Sequence, residues 1–122
     1  MALLEFRSKA AGGFFMMPAT FKEVCRVAKR SFSPSGCWPL EDLPGILQSL
    51  EVEVLEEKKR LQEQEKRYRE QELAGRGYPD FEQQEAQKRR EEFVSFGMRT
   101  MPLREMLRLA IAKEQSIMWG VP

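Results

Sequence analysis

The first apolar positions along the chain alternate. Over residues 3–7, Leu4 and Phe6 point one way and Leu3, Glu5 and Arg7 the other. A period of two over a short run predicts a half-buried strand. The small residues of S-K-A-A-G-G (8–13) predict a loop, with Gly12 and Gly13 supplying turn chemistry, since no phosphate-binding glycine pattern surrounds them. A second apolar run, F-F-M-M (14–17), completes an antiparallel hairpin that Pro18 ends.

The period then changes. Phe21, Val24, Cys25 and Ala28 recur at helical spacing, with Val27 close to that stripe. Thr20 and Glu23 form a T-x-x-E capping box, so a helix is expected from Thr20 to about Ser31. S-F-S-P-S-G-C-W-P (31–39) has loop composition. Helix resumes from about Leu43, with Asp42 as cap and Pro44 in the first turn, where its missing N–H costs little. Leu43, Ile46, Leu47, Leu50, Val54 and Leu55 give this helix an apolar face.

At Glu56 the pattern turns polar. Leu61 and Tyr68 are the only large apolar residues from 56 to 72. Acid-first i,i+4 pairs (Glu56 with Arg60, Glu63 with Arg67, Glu65 with Arg69) each add about 0.2–0.5 kcal/mol of helical support. A solvated continuation of the preceding helix is predicted. The A-G-R-G-Y-P-D turn (74–80) and a second charged helix starting at Asp80 would make residues 56–92 a projecting charged helical hairpin. Beyond it, Leu103, Met106, Leu107, Ala110 and Ile111 form a clean helical stripe. Its start has two readings: Thr100 as cap with Pro102 in the first turn, or an earlier turn capped by Ser95 and kinked at Gly97 and Pro102. Ile117, Trp119 and Val121 then alternate as a closing strand.

These elements predict an α+β fold spanning 1–122 as one domain. A small three-stranded antiparallel sheet combines the N-terminal hairpin with the C-terminal strand. Helices lie on one face, and the charged hairpin projects. Strand order is not fixed by the pattern.

Composition narrows the chemistry more than it names it. Net charge is +1, which gives no overall field for nucleic acid or anionic lipid. Histidine is absent, which removes the usual neutral-pH base and the commonest metal ligand. No cofactor, metal site or catalytic residue is expected. Cys25 falls on an apolar stripe and reads as a small buried hydrophobe; Cys37, beside Trp38 in a loop, reads as the more exposed thiol. Two unpaired cysteines suit a reducing cytoplasm. The apolar run at 10–19 follows Glu5 and is diluted by glycines, so no signal peptide is expected, and no run reaches the roughly 20 apolar residues of a membrane span. The methionines fall mostly at positions expected to be core.

Two surfaces draw attention. The stretch 56–72 carries six basic and six acidic residues, a balance that favours an intrahelical ion-pair network over phosphate binding. Lys22, Arg26 and Lys29 share one face of the first helix and make the better candidate contact for nucleic acid.

R-S-K-A-A-G (7–12), F-F-M-M-P (14–18), S-G-C-W-P-L-E-D-L-P-G-I-L-Q-S-L-E (35–51) and M-P-L-R-E-M-L-R-L-A-I-A-K-E-Q-S-I-M-W-G-V (101–121) occur in an order that resembles a small bacterial domain-of-unknown-function family, the one numbered 1840. The resemblance covers both ends of the chain and weakens across the charged stretch. Met101 stands where members often carry tryptophan. The resemblance implies a bacterial, cytoplasmic, single-domain protein and carries no activity across. The resulting expectation is a non-catalytic protein-interaction or assembly module of unknown partner. Its contact would be the charged hairpin or a spare sheet edge, which would also allow a homodimer by strand addition. The alternative is a nucleic-acid-binding protein using Lys22, Arg26 and Lys29, a weaker reading, and no membrane partner is expected.

Overall fold

The computed structural model describes residues 3–73 and 95–122. Four strands and four helices follow in the order β1 (Leu4–Ser8), β2 (Ala11–Met16), α1 (Pro18–Ala28), β3 (Gly36–Trp38), α2 (Leu43–Leu73), α3 (Phe96–Arg99), α4 (Met101–Ala112) and β4 (Ile117–Gly120). A 3-10 turn at Leu40–Asp42 leads into α2. The chain is α+β, with an antiparallel sheet ordered β2-β1-β4-β3. The sheet has four strands where three were expected. The extra one, G-C-W, lies in the stretch assigned to loop and pairs with the free edge of β4: Gly36 with Trp119, Cys37 with Met118 and Trp38 with Ile117. Three residues among serines and prolines are too short to show a period of their own.

The hairpin closes tighter than its composition suggested. The turn sits at Lys9 and Ala10, so Gly12 and Gly13 belong to β2. Ser8 Oγ accepts from the Ala10 amide at 3.2 Å and donates to the Ser116 carbonyl at 2.9 Å. Lys113 Nζ adds a bond to the Ala10 carbonyl at 3.1 Å. The turn is therefore tied to the connection between α4 and β4.

Helix α1 begins at Pro18, two residues before the expected capping box. Proline's preset φ and missing N–H suit the first helical position, and Met17 caps without a side-chain bond. Thr20 is thus buried within the first turn, and Glu23 is used elsewhere. The helix ends at Ala28, short of Ser31, because Lys29 turns left-handed at φ 58°. The Lys29 and Arg30 amides then close on the Arg26 and Cys25 carbonyls, the two bonds of a Schellman stop. Glu114 (φ 54°) does the same after α4.

Helix α2 runs unbroken for 31 residues, about 46 Å at 1.5 Å per residue. Its first turns bury Leu43, Ile46 and Leu50, with Val54 and Leu47 packed at the margin; Leu55, expected on that face, is exposed. Arg69 pairs with Glu65 at 3.2 Å as anticipated, while Arg60 reaches back two turns to Glu53. The glycine-proline turn and the second charged helix of the expected hairpin lie outside the described residues. Both readings of the later helix start hold in part. Ser95 Oγ accepts from the Met98 amide and caps α3, and α4 restarts at Met101 with Pro102 in its first turn.

Core residues from all four described helices and from one face of the sheet form a single cluster. At its sheet side, six aromatic rings pack together. Phe6 stacks on Phe14 at 5.0 Å, Phe21 meets Trp119 at 5.1 Å, and Trp38 meets Trp119 at 5.0 Å. Phe32 lies against Phe21 at 5.8 Å. The Trp119 indole N–H donates to the Ser33 carbonyl at 2.8 Å, so the buried ring keeps its polar atom satisfied.

Candidate interaction surfaces

Because side chains alternate across a strand, the pairing register divides the sheet into two faces. Leu4, Phe6, Met16, Trp38, Ile117 and Trp119 face the helices and are buried. The other face carries Leu3, Glu5, Arg7, Phe15, Met118 and Cys37. No described helix covers it. Phe15 is 58% exposed, Met118 49% and Leu3 42%. Single exposed hydrophobics are ordinary, but Phe15 on β2 and Met118 on β4 stand exposed on either side of β1, with Leu3 on the same face, an arrangement of the kind found at contact sites. Glu5 and Arg7 are the charged residues of this face. Two positions apart on β1, they pair at 3.0 Å.

A second surface lies where α2 meets α3 and α4. Glu57 accepts from two backbone amides, Phe96 at 3.0 Å and Gly97 at 3.2 Å, one on each carboxylate oxygen. It thus satisfies orphan donors at the start of α3. Arg104 donates to the Gly97 carbonyl at 2.6 Å and joins Glu51, which Arg108 also contacts. Thr100, fully buried, donates to the Phe96 carbonyl at 2.7 Å. Beside this clamp runs an open groove of about 560 Å³ lined in part by Val54, Leu61, Met98 and Met101. Met98 and Met101 are exposed there, as are Met17 and Met118 elsewhere; among the described methionines, Met16 and Met106 fill the core. The expectation that most methionines pack inside is therefore corrected: those at element ends and on the outer sheet face stay in solvent.

The three residues singled out for nucleic acid are all exposed, Lys22 and Arg26 on α1 and Lys29 just past its end. Lys22 lies with its ammonium 5.2 Å above the Phe32 ring, Arg26 lines a shallow depression with Val27, Val52 and Glu53, and Lys29 occupies the left-handed stop. Neighbouring charges are already engaged: Glu23 with Arg99 at 2.7 Å and Arg30 with Asp42 at 3.0 Å. The cysteines are both free. Cys25 is buried, and that burial pushes its thiol pKa up, which disfavours the reactive thiolate; Cys37 is exposed on β3. Among the described residues no cluster of acids and cysteines is placed to hold a metal ion, and no helix is long and apolar enough to cross a membrane.

Sequence reading missed Glu57 and the outer face. Glu57 had a signal: Leu50, Val54, Glu57 and Leu61 share one stripe, and a carboxylate on an apolar stripe needs donors. The outer face had a weaker one, the apolar Phe15 and Met118 out of phase with their buried neighbours. The family model described as domain of unknown function, DUF1840, matches residues 2–119. The chain belongs to that family. The DUF1840 match spans the charged stretch, which resemblance alone had left weak, and so takes in Glu57 and its partners. No curated protein and no solved structure matches the chain.

Proposed function

We propose that this DUF1840 chain is a non-catalytic protein-interaction module of the bacterial cytoplasm, and that it docks through the sheet face that no described helix covers. The supporting observation is the exposed pair Phe15 and Met118 on the face opposite every described helix. Burying such side chains is worth on the order of 1.5–3 kcal/mol each, enough to act as anchors at a protein interface. The two free thiols suit a reducing compartment. Capture of partners from host lysate by the tagged chain, set against capture by Phe15→Asp and Met118→Asp, tests the reading. Loss of the same partners in both folded variants is expected. An unchanged partner set would move docking to another surface.

A second reading is favoured by the cation over Phe32. Lys22, Arg26 and Lys29 with an exposed ring beside them combine charge with a stacking platform, the pairing used for single-stranded nucleic acid. Such binding would weaken steeply with salt. No retention of a labelled oligonucleotide at low ionic strength would remove it.

A further inference from the structure

The sheet face that no described helix covers is complementary to itself, and we propose that its occupant is a second copy of this chain packed face to face. The inference rests on the reading of this face as a docking surface. Two cross-strand rows run through the middle of the face, with Leu3 beyond the first and Cys37 continuing the second onto β3. In one, Phe15, Glu5 and Gly120 lie side by side across β2, β1 and β4. In the next, Gly13 lies near Arg7, at the irregular step in the β1–β2 register, and Arg7 pairs with Met118. Across β2, β1 and β4 each row thus carries one large apolar residue, one charge and one glycine, with large and small exchanged and the charge reversed.

A two-fold axis lying between the sheets and perpendicular to the strands sets the first row of one copy against the second row of the other. Glu5 and Arg7, already paired within each chain at 3.0 Å, then meet Arg7 and Glu5 of the second copy, so that four charges alternate in sign around the axis. Phe15 meets the backbone at Gly13, and Met118 meets the backbone at Gly120. Bumps enter hollows on both sides of the charged pair. An axis parallel to the strands instead sets Glu5 against Glu5 and Arg7 against Arg7 of the second copy. Isologous contact requires such a self-complementary patch. Sheets pack about 10 Å apart, which these side chains span.

The face is small. Four strands about 4.8 Å apart and about five residues long present on the order of 300 Å² in projection. A standard interface buries about 800 Å² per partner. The dimer is therefore concentration-dependent and leaves the face available to other partners when dilute.

Sedimentation velocity over a wide concentration range tests this on the full chain. A shift from monomer to dimer is expected. Glu5→Arg and Arg7→Glu each set like charges against one another and should weaken dimerisation about tenfold or more. Mixed in equal amounts, the two variants bring opposite charges together at both contacts, so a heterodimer should return. Phe15→Ser should weaken the dimer without touching either charge, which covers the case of a charge variant that fails to fold. A chain that stays monomeric at every concentration, or a dimer that both charge variants keep, overturns the proposal. If the chain is monomeric while Phe15→Asp still loses lysate partners, the docking face stands and its occupant is another protein. If neither result appears, both readings fall.

Discussion

Trp119 shows how one side chain sets the limits on its neighbours. Its ring is held by Phe6, Phe21 and Trp38 and by the bond to the Ser33 carbonyl. A methyl group at Gly36 would come within 2.7 Å of that ring, which has nowhere to go. Gly36→Val is expected to cost about 1–3 kcal/mol by overpacking, read as a lower melting temperature. Gly45, in the first turns of α2, has nothing within 4 Å of an added methyl. Gly45→Ala should therefore stabilise by about 0.4–1 kcal/mol, mainly through helix propensity and a less flexible unfolded chain. Which glycine tolerates a side chain was not readable from sequence, because the obstacle to substitution at 36 stands 83 residues away, at position 119. The helix stops at Lys29 and Glu114 were hidden for a different reason: each places an ordinary side chain in the left-handed conformation where glycine is the usual signal.

At the scale of elements, α2 does two jobs along one stripe. Leu43, Ile46 and Leu50 belong to the core, and one turn beyond Val54 the same stripe presents Glu57 to the start of α3. Glu57→Ala would leave the Phe96 and Gly97 amides without their acceptor and should cost about 1–2 kcal/mol in denaturant unfolding, in the range of a lost helix cap. Glu56→Ala, on the exposed side, should stay within about 0.5 kcal/mol of wild type. Equal losses at both positions would mean that charge, not capping, is what matters. The elements themselves were largely legible, since strand and helix periods differ plainly at Leu4, Phe6, Phe21, Val24, Leu103 and Leu107. What failed was the short strand at Gly36, whose existence depends on the edge that β4 offers it.

At the scale of the molecule, the sheet order makes β4 indispensable. It joins β1 on one side and β3 on the other. Removing residues 116–122 takes away Ile117 and Trp119 from the core and leaves β3 without a partner strand. Loss of cooperative melting in circular dichroism is expected. A truncated chain that melts as before would show that the helices hold the core alone. The α+β class and the pairing of the hairpin with a late strand were visible in alternating positions; the face left open by the described helices was not, because sequence alternation says that two faces differ without saying how many layers cover each. The same order has a kinetic side. β1 and β4 pair across more than a hundred residues, Phe6 with Trp119, so closing the sheet is a long-range event, and such topologies fold slowly. During synthesis, β1, β2 and β3 leave the ribosome before the strand that joins them. Until it arrives, β1 has an open edge, the kind of surface on which nascent chains mispair. The newly made protein therefore passes through an interval in which its central strand is its most vulnerable part.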